Sequence, residues 1–243
     1  MASDSPAQTA RFSEEEQRGL YRAIFSRRDI RTFKTDPVPP DVLARIIRAA
    51  HHGPSVGFMQ PWDFIMVQNV EIREKVKDLF DRERQAASSF FDEPRRSHYL
   101  SLKLEGIMES PVNVCVTCDP TRAEVVLGRN SIPETDLYST CCAVQNLWLA
   151  ARAEGVGVGW VSILKQAQLR QILGVPHHVI PVAYLCLGYP VEFTTEPVLQ
   201  AAGWRDRLDL EDLVHFDGWG GGDWAEFSRA LEATKGMQLG LYE

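Results

Sequence analysis

The chain has 243 residues, of which 44% are hydrophobic, 24% charged and 9% aromatic, the composition of a globular protein large enough to bury a core without disulfide or metal staples. Its 26 Lys and Arg against 33 Asp and Glu leave a net charge of −7, which excludes general nucleic-acid binding and leaves small anionic ligands only where arginines cluster. No run approaches the roughly 18 apolar residues of a membrane span, five cysteines form no disulfide framework, and the start MASDSPAQTA is neither basic nor apolar, so a cytoplasmic location is expected.

Residues 1–12 read as a disordered tail, and 13–243 show no repeat or clear domain boundary. EEEQRGLYRAIFSRR predicts a helix ending near Arg28, with Leu20, Ile24 and Phe25 on its apolar stripe. Asp41 opens DVLARIIRAAHH, whose Leu43, Ile46 and Ile47 give helical spacing up to the break at Gly53-Pro54. Strands are predicted at Phe64 to Val67 and Val112 to Thr117, with a charged helix from Glu71 to about Arg84 between them. The less regular stretch at about 88–110 suits a flap over a ligand. Asp136 to Glu154 predicts the central helix, with Leu137, Cys141, Val144, Trp148 and Ala151 facing the core and Gly155 ending it. Strands at Val156 to Ser162 and Val179 to Leu187 flank the short helix QAQLRQILG, and a polar extension from about 191 carries GWGGGD. The pattern is an α+β sandwich with a small sheet and many helices.

Three constellations carry chemical content. Arg27, Arg28 and Arg31 surround Asp29 in SRRDIRTF; three guanidinium groups so close can clamp a phosphate, although the same residues also suit a solvated basic helix end. Asp29, among arginines, is expected to stay ionised and to serve as acceptor or base through its position, with no raised pKa. Gly53-Pro54-Ser55 and Gln60-Pro61-Trp62 form a rigid connection that can present backbone groups to a flat polar ring, or can simply be a turn. In GVGVGWVS, glycine permits close backbone approach, but these glycines follow a helix and open a strand, the reverse of a dinucleotide fingerprint.

Other candidates have plainer explanations. Cys115 and Cys118 on one strand should point to opposite faces as buried structural thiols. His51, His52, His177 and His178 lack ligand spacing, so no metal site is expected. Cys141, Cys142 and Trp148 suit core or interface positions, and Phe90 and Phe91 suit lid or core.

Together, RRDIR, GPSVGFMQPW, CVTCD, GVGWVSI, the long central helix and a late Arg205-x-Arg207 resemble the nitroreductase family of FMN-binding homodimers over roughly Tyr21 to Leu210. Asp29, and Ser55-Val56-Gly57-Phe58 in place of a Ser-Ser-x-Asn run, look most like the branch that fragments reduced FMN with oxygen to 5,6-dimethylbenzimidazole, releasing a four-carbon sugar phosphate. The alternative is an NAD(P)H-dependent nitroreductase or flavin reductase; a non-catalytic flavin carrier is a third reading. The resemblance implies an α-β-α sandwich with a mainly antiparallel sheet, a domain-entwined homodimer, a lid at about 88–110 and a C-terminal extension wrapping the partner. It implies that Arg27, Arg28 and Arg31 hold the FMN phosphate and ribityl chain, assisted by Arg205 or Arg207. Pro54 and Ser55 would line the isoalloxazine ring, Met59 and Gln60 would reach the other subunit's flavin, and Gly159, Trp160, Val161 and Ser162 would run beside its pyrimidine edge. Asp29 and Ser162 are the catalytic candidates. A separate flavin reductase is the implied partner, with NAD(P)H as indirect reductant.

Overall fold

Every residue of the sequence VNVCVTC is buried, because this strand, β2 (Val112–Cys118), lies in the middle of a sheet covered on both faces. The computed structural model describes residues 11–235. Most of the N-terminal tail expected at 1–12 lies outside the described residues. Around β2 stand β1 (Trp62–Val67), β3 (Gly157–Val161) and β4 (Ile180–Gly188) in the order β1-β2-β4-β3. All pairings are antiparallel, with Trp62 opposite Cys118 and Val114 opposite Leu185, and the register slips by a bulge between Val116 and Thr117.

Alternation along the strands makes two cores. Val112, Val114, Val116, Val158, Leu185 and Leu187 pack against α2 (Pro40–His51) and α5 (Thr135–Ala153). On the other face Cys115, Tyr184 and Cys186 meet Val76, Leu79 and Phe80 of α3 (Val70–Ser88) and Leu169 of α6 (Gln166–Leu173). The result is the expected α+β sandwich. Burying each such aliphatic side chain stabilises the fold by about 1.5–3 kcal/mol.

The predicted core stripe of α5 needs correction. Val144, Trp148 and Ala151 are buried as expected, but Cys141 is exposed and Leu137 only half-buried. The buried arc instead includes Asp136, Thr140, Ala143 and Leu147, because the helix is covered across a wide face by α2 and the sheet. Between α3 and β2 lies α4 (Arg95–Ser101), where Tyr99 is buried against Phe91 at 5.0 Å between ring centres while Phe90 is exposed.

Contacts cluster the described residues into two compact units, residues 27–194 and residues 11–26 with 195–235. The first holds the sheet. In the second, α1 (Glu14–Ser26) stops two residues short of the expected Arg28, and Ser26 Oγ closes it on the Arg22 carbonyl at 2.6 Å. Its expected stripe is not a core face: Leu20 and Ile24 are exposed, whereas Ala23 and Ser26 are buried. An apolar stripe is buried only where its unit offers a core, and the C-terminal part of this unit is mostly exposed. That part contains α7 (Val198–Ala201) and α8 (Ala225–Glu232), with Phe216, Trp224 and Phe227 gathered in a small aromatic cluster.

Candidate functional site

Residues 27–34 lie along the outer edge of the sheet. Asp29 bridges Val158 in parallel register and the Ile30 N–H donates to the Val158 carbonyl at 2.9 Å; farther on, the Lys34 N–H donates to the Tyr189 carbonyl at 2.8 Å. The glycine pattern of β3 follows from this. A Cβ on Gly159 would stand 2.1 Å from the Ile30 carbonyl oxygen, and one on Gly157 would stand 2.8 Å from Ile30 Cγ1. The close approach read from the glycines therefore belongs to the chain's own backbone at residue 30.

This laying-down brings Asp29, Arg31 and Trp160 together. Arg31 Nη2 donates to Asp29 Oδ2 at 2.5 Å and to the Trp160 carbonyl at 2.7 Å, while the Trp160 N–H donates to Asp29 Oδ1 at 2.9 Å. Both main-chain groups of Trp160 are thus engaged by the clamp itself. Although 45% of the Asp29 side chain stays accessible, burial pushes its carboxyl above the usual carboxylate range. That outweighs the opposing pull of the Arg31 charge, the Trp160 N–H and Arg27. The expectation that arginines alone would set a low value is corrected: desolvation is the larger effect.

The arginines are seated by a residue expected in the core or at an interface. Trp148 places its ring 5.0 Å from the Arg27 guanidinium carbon and donates from Nε1 to the Arg28 carbonyl at 3.2 Å. A buried indole needs a partner for its N–H, and helical spacing alone gave no sign that the partner would be the clamp. Arg31 Nη1 is buried beside Gly159 without a hydrogen-bond acceptor among the described residues. A buried cationic donor of this kind suits an anionic ligand oxygen, so the donor set fits a phosphate-bearing cofactor such as FMN.

A second cluster follows α2. Ser55 Oγ accepts from the Gln60 N–H and Ser139 Oγ accepts from the Val56 N–H, each at 3.0 Å. These bonds hold a turn in which Phe58 and Gln60 take φ of 55° and 51°, a left-handed conformation that non-glycine residues adopt only under restraint. Pro54 is exposed, Gln60 half-buried, and Met59 buried within its own chain. Ser139 was not foreseen; Ser on the buried face of a helix was its only signal. Val161 is buried at the end of β3 and Ser162 is exposed just beyond it. Arg205 and Arg207 are exposed in the second unit.

The remaining candidates behave as structural groups. Cys115 belongs to the α3 side of the sheet and burial pushes its thiol up to about 12, while Cys118, hydrogen-bonded to Thr140, faces α5. His51 Nδ1 accepts from Trp62 Nε1 at 3.2 Å, His52 caps α2, and His178 lies 3.9 Å from Asp119. Among the described residues no group of His, Cys, Asp and Glu is arranged to hold a metal ion. No described helix is long and apolar enough to cross a membrane. A groove of about 490 Å³ between α2 and β1 is lined by Leu43, Ile47, Trp62 and Phe64, away from the arginines.

The sequence profile described as the nitroreductase family matches residues 24–189. The chain belongs to this family. Within it, the chain is 43% identical over 187 residues to the 5,6-dimethylbenzimidazole synthase of Rhodospirillum rubrum, covering 76% of this chain and 89% of that one. A synthase of the same name from Rhodobacter capsulatus is 37% identical over 203 residues, covering 82% and 97%. Among solved structures, a BluB-like flavoprotein from Clostridium difficile 630 superimposes with a TM-score of 0.62 at 20% identity, over 82% of this chain and 99% of that one. An iodotyrosine deiodinase bound to FMN and 3-iodo-L-tyrosine gives 0.61 at 20% identity, over 72% and 91%. These two establish the family fold.

Proposed function

We propose that this chain is a 5,6-dimethylbenzimidazole synthase, fragmenting reduced FMN with molecular oxygen to 5,6-dimethylbenzimidazole and a four-carbon sugar phosphate. The relatives of that name support the reaction. The observation that carries it to this chain is Asp29, a carboxylate of raised pKa held between Arg31 and the Trp160 N–H inside an arginine cluster.

Reduced flavin and oxygen supply the redox chemistry, and the protein supplies binding, proton handling and exclusion of water. Arg27, Arg28 and Arg31 bind the phosphate and ribityl chain, with Arg205 or Arg207 assisting. Pro54, Ser55, Gly159, Trp160 and Val161 flank the ring; Met59 and Gln60 complete the second subunit's site. Asp29 takes a proton from the ribityl C1′ region. Burial brings its basicity nearer working pH, which suits a general base. Ser162 acts as donor or relay near the ring. Residues 13–243 act as one flavin-binding domain with a lid at 88–110, in a homodimer wrapped by the extension from 191. One chain holds half of each flavin site, and its partner completes it. A separate NAD(P)H-dependent flavin reductase provides the reduced FMN.

Incubation of the protein with reduced FMN in air, followed by chromatography, tests this reading. The expected product is 5,6-dimethylbenzimidazole with loss of flavin. Quantitative recovery of oxidised FMN and peroxide would instead indicate a nitroreductase or flavin reductase, and retention of reduced flavin a carrier.

A further inference from the structure

Helix α3 carries two arginines that bind main-chain oxygens. Arg73 is 7% exposed, and it donates from Nε and Nη2 to the Ile107 carbonyl at 3.1 and 2.5 Å and from Nη2 to the Ser110 carbonyl at 2.6 Å. Arg84 donates from Nη2 to the carbonyls of Leu100 and Leu102 at 2.6 and 2.7 Å. Eleven residues make about three helical turns, so both arginines rise from one face of α3. The ion pairs of that helix are made instead by Lys77, with Asp81 at 2.6 Å and more distantly with Glu105 at 3.9 Å, and by Glu83 with Lys165.

A buried guanidinium without a carboxylate is retained only where its donors are satisfied. Residues 106–110 provide the acceptors. They form one turn, closed by the Ser110 N–H on the Gly106 carbonyl at 2.9 Å, which leaves the Ile107 and Ser110 carbonyls to accept from Arg73. Asn113 Nδ2 grips the same turn at the Ile107 carbonyl (3.2 Å) and Ser110 Oγ (2.7 Å), and Tyr184 OH donates to Asn113 Oδ1 at 2.9 Å. The turn also touches the phosphate clamp from behind. A Cβ on Gly106 would lie 2.6 Å from Phe33 Cε2 and 3.0 Å from the Arg31 carbonyl oxygen.

We infer that Arg73 and Arg84 form a two-point latch that fixes segment 100–110 on α3 and, through Gly106, sets the position of Arg31. Both are positioning residues. Their consequence for catalysis rests on the flavin-fragmenting reading above: the latched segment is the wall that keeps water from the reacting flavin, so release of the latch diverts reduced FMN to simple reoxidation. Sequence gives no hint of this, since both arginines sit in a charged helix that reads as a solvated face.

Hydrogen exchange by mass spectrometry on the full-length protein, with and without FMN, tests the latch. Arg84 is only partly buried, so Arg84→Met carries the test, with Arg84→Lys and Arg73→Lys beside it. In Arg84→Met the amides of 100–110 should exchange about tenfold faster or more, as expected for losing charge-assisted hydrogen bonds, while those of β2 and β4 keep their protection. The yield of 5,6-dimethylbenzimidazole per FMN consumed should fall and peroxide per FMN should rise, with partial rescue in Arg84→Lys. Arg73→Lys should weaken FMN binding several-fold. Exchange within twofold of wild type at 100–110, or an equal rise in β2 and β4, would overturn the latch. A wild-type protein that makes no 5,6-dimethylbenzimidazole would overturn the catalytic reading alone, since exchange and FMN affinity still judge the latch.

Discussion

The carbonyl oxygen of Ile30 occupies the space that a side chain on Gly159 would need, with only 2.1 Å between that oxygen and the position of a Cβ. This contact lets Asp29 and Arg31 reach Trp160 from opposite sides of the Ile30 peptide. Gly159→Ala should push residues 29–31 off β3, destabilising the protein by about 1–3 kcal/mol and lowering Tm by roughly 2–4 °C per kcal/mol for a chain of this size. Gly19→Ala is the control. With no atom within 4 Å of its Cβ and a helical position in α1, it should leave stability equal or slightly higher. Thermal unfolding of the two variants side by side checks the claim; equal Tm values would contradict it.

Trp148 carries both a ring for Arg27 and a donor for the Arg28 carbonyl. Trp148→Phe should therefore cost about 0.5–1.5 kcal/mol by losing the hydrogen bond, with FMN affinity reduced only modestly. Trp148→Leu removes the ring face as well and should weaken FMN further, by about 0.5–2 kcal/mol more. Fluorescence titration with FMN measures both. Equal affinities in the two variants would mean that Arg27 does not depend on the ring.

Arg31→Lys should reduce FMN affinity on the order of tenfold. The lysine keeps the charge but cannot hold Asp29 and Trp160 and also present a third donor, and each charged hydrogen bond contributes roughly 1.5–3 kcal/mol. Riboflavin, which lacks the phosphate, should bind wild type more weakly than FMN. Should riboflavin bind as tightly, the arginines do not clamp a phosphate.

Because burial raises the pKa of Asp29, the folded protein holds that proton more tightly than the unfolded chain does. The associated stability is present in acid and is lost as pH rises through the raised value. Relative to Asp29→Asn, wild type should gain Tm as pH falls through a window above the usual carboxylate range. Product formation should show the opposite limb, falling in the same window because only the carboxylate accepts a proton. A Tm difference independent of pH would show that Asp29 ionises as an ordinary surface acid.

Much of the fold was legible because hydrophobic period and breakers agree with the tertiary structure. β2 is a short run of valine and cysteine broken only by Asn113 and Thr117, and Gly155 and Gly174 follow α5 and α6. Periodicity finds an apolar face without saying what covers it: Leu20 on α1 and Cys141 on α5 are exposed within the chain, while Asp136 is buried on Arg129. At the site, the cluster of Arg27, Arg28, Asp29 and Arg31 was visible as local charge. Its assembly was not, since Trp160 and Trp148 lie more than a hundred residues away in sequence. The raised pKa of Asp29 was missed for the same reason, because sequence displays neighbouring charges but not desolvation.

The central claim is that Asp29 is the base for flavin fragmentation, and aerobic turnover of reduced FMN by Asp29→Asn tests it most directly, with 5,6-dimethylbenzimidazole quantified by chromatography. The amide keeps the size and one acceptor oxygen for the Trp160 N–H but cannot take a proton. The account predicts near-normal binding of reduced FMN, continued consumption of oxygen and essentially no 5,6-dimethylbenzimidazole. Product at the wild-type rate would contradict it.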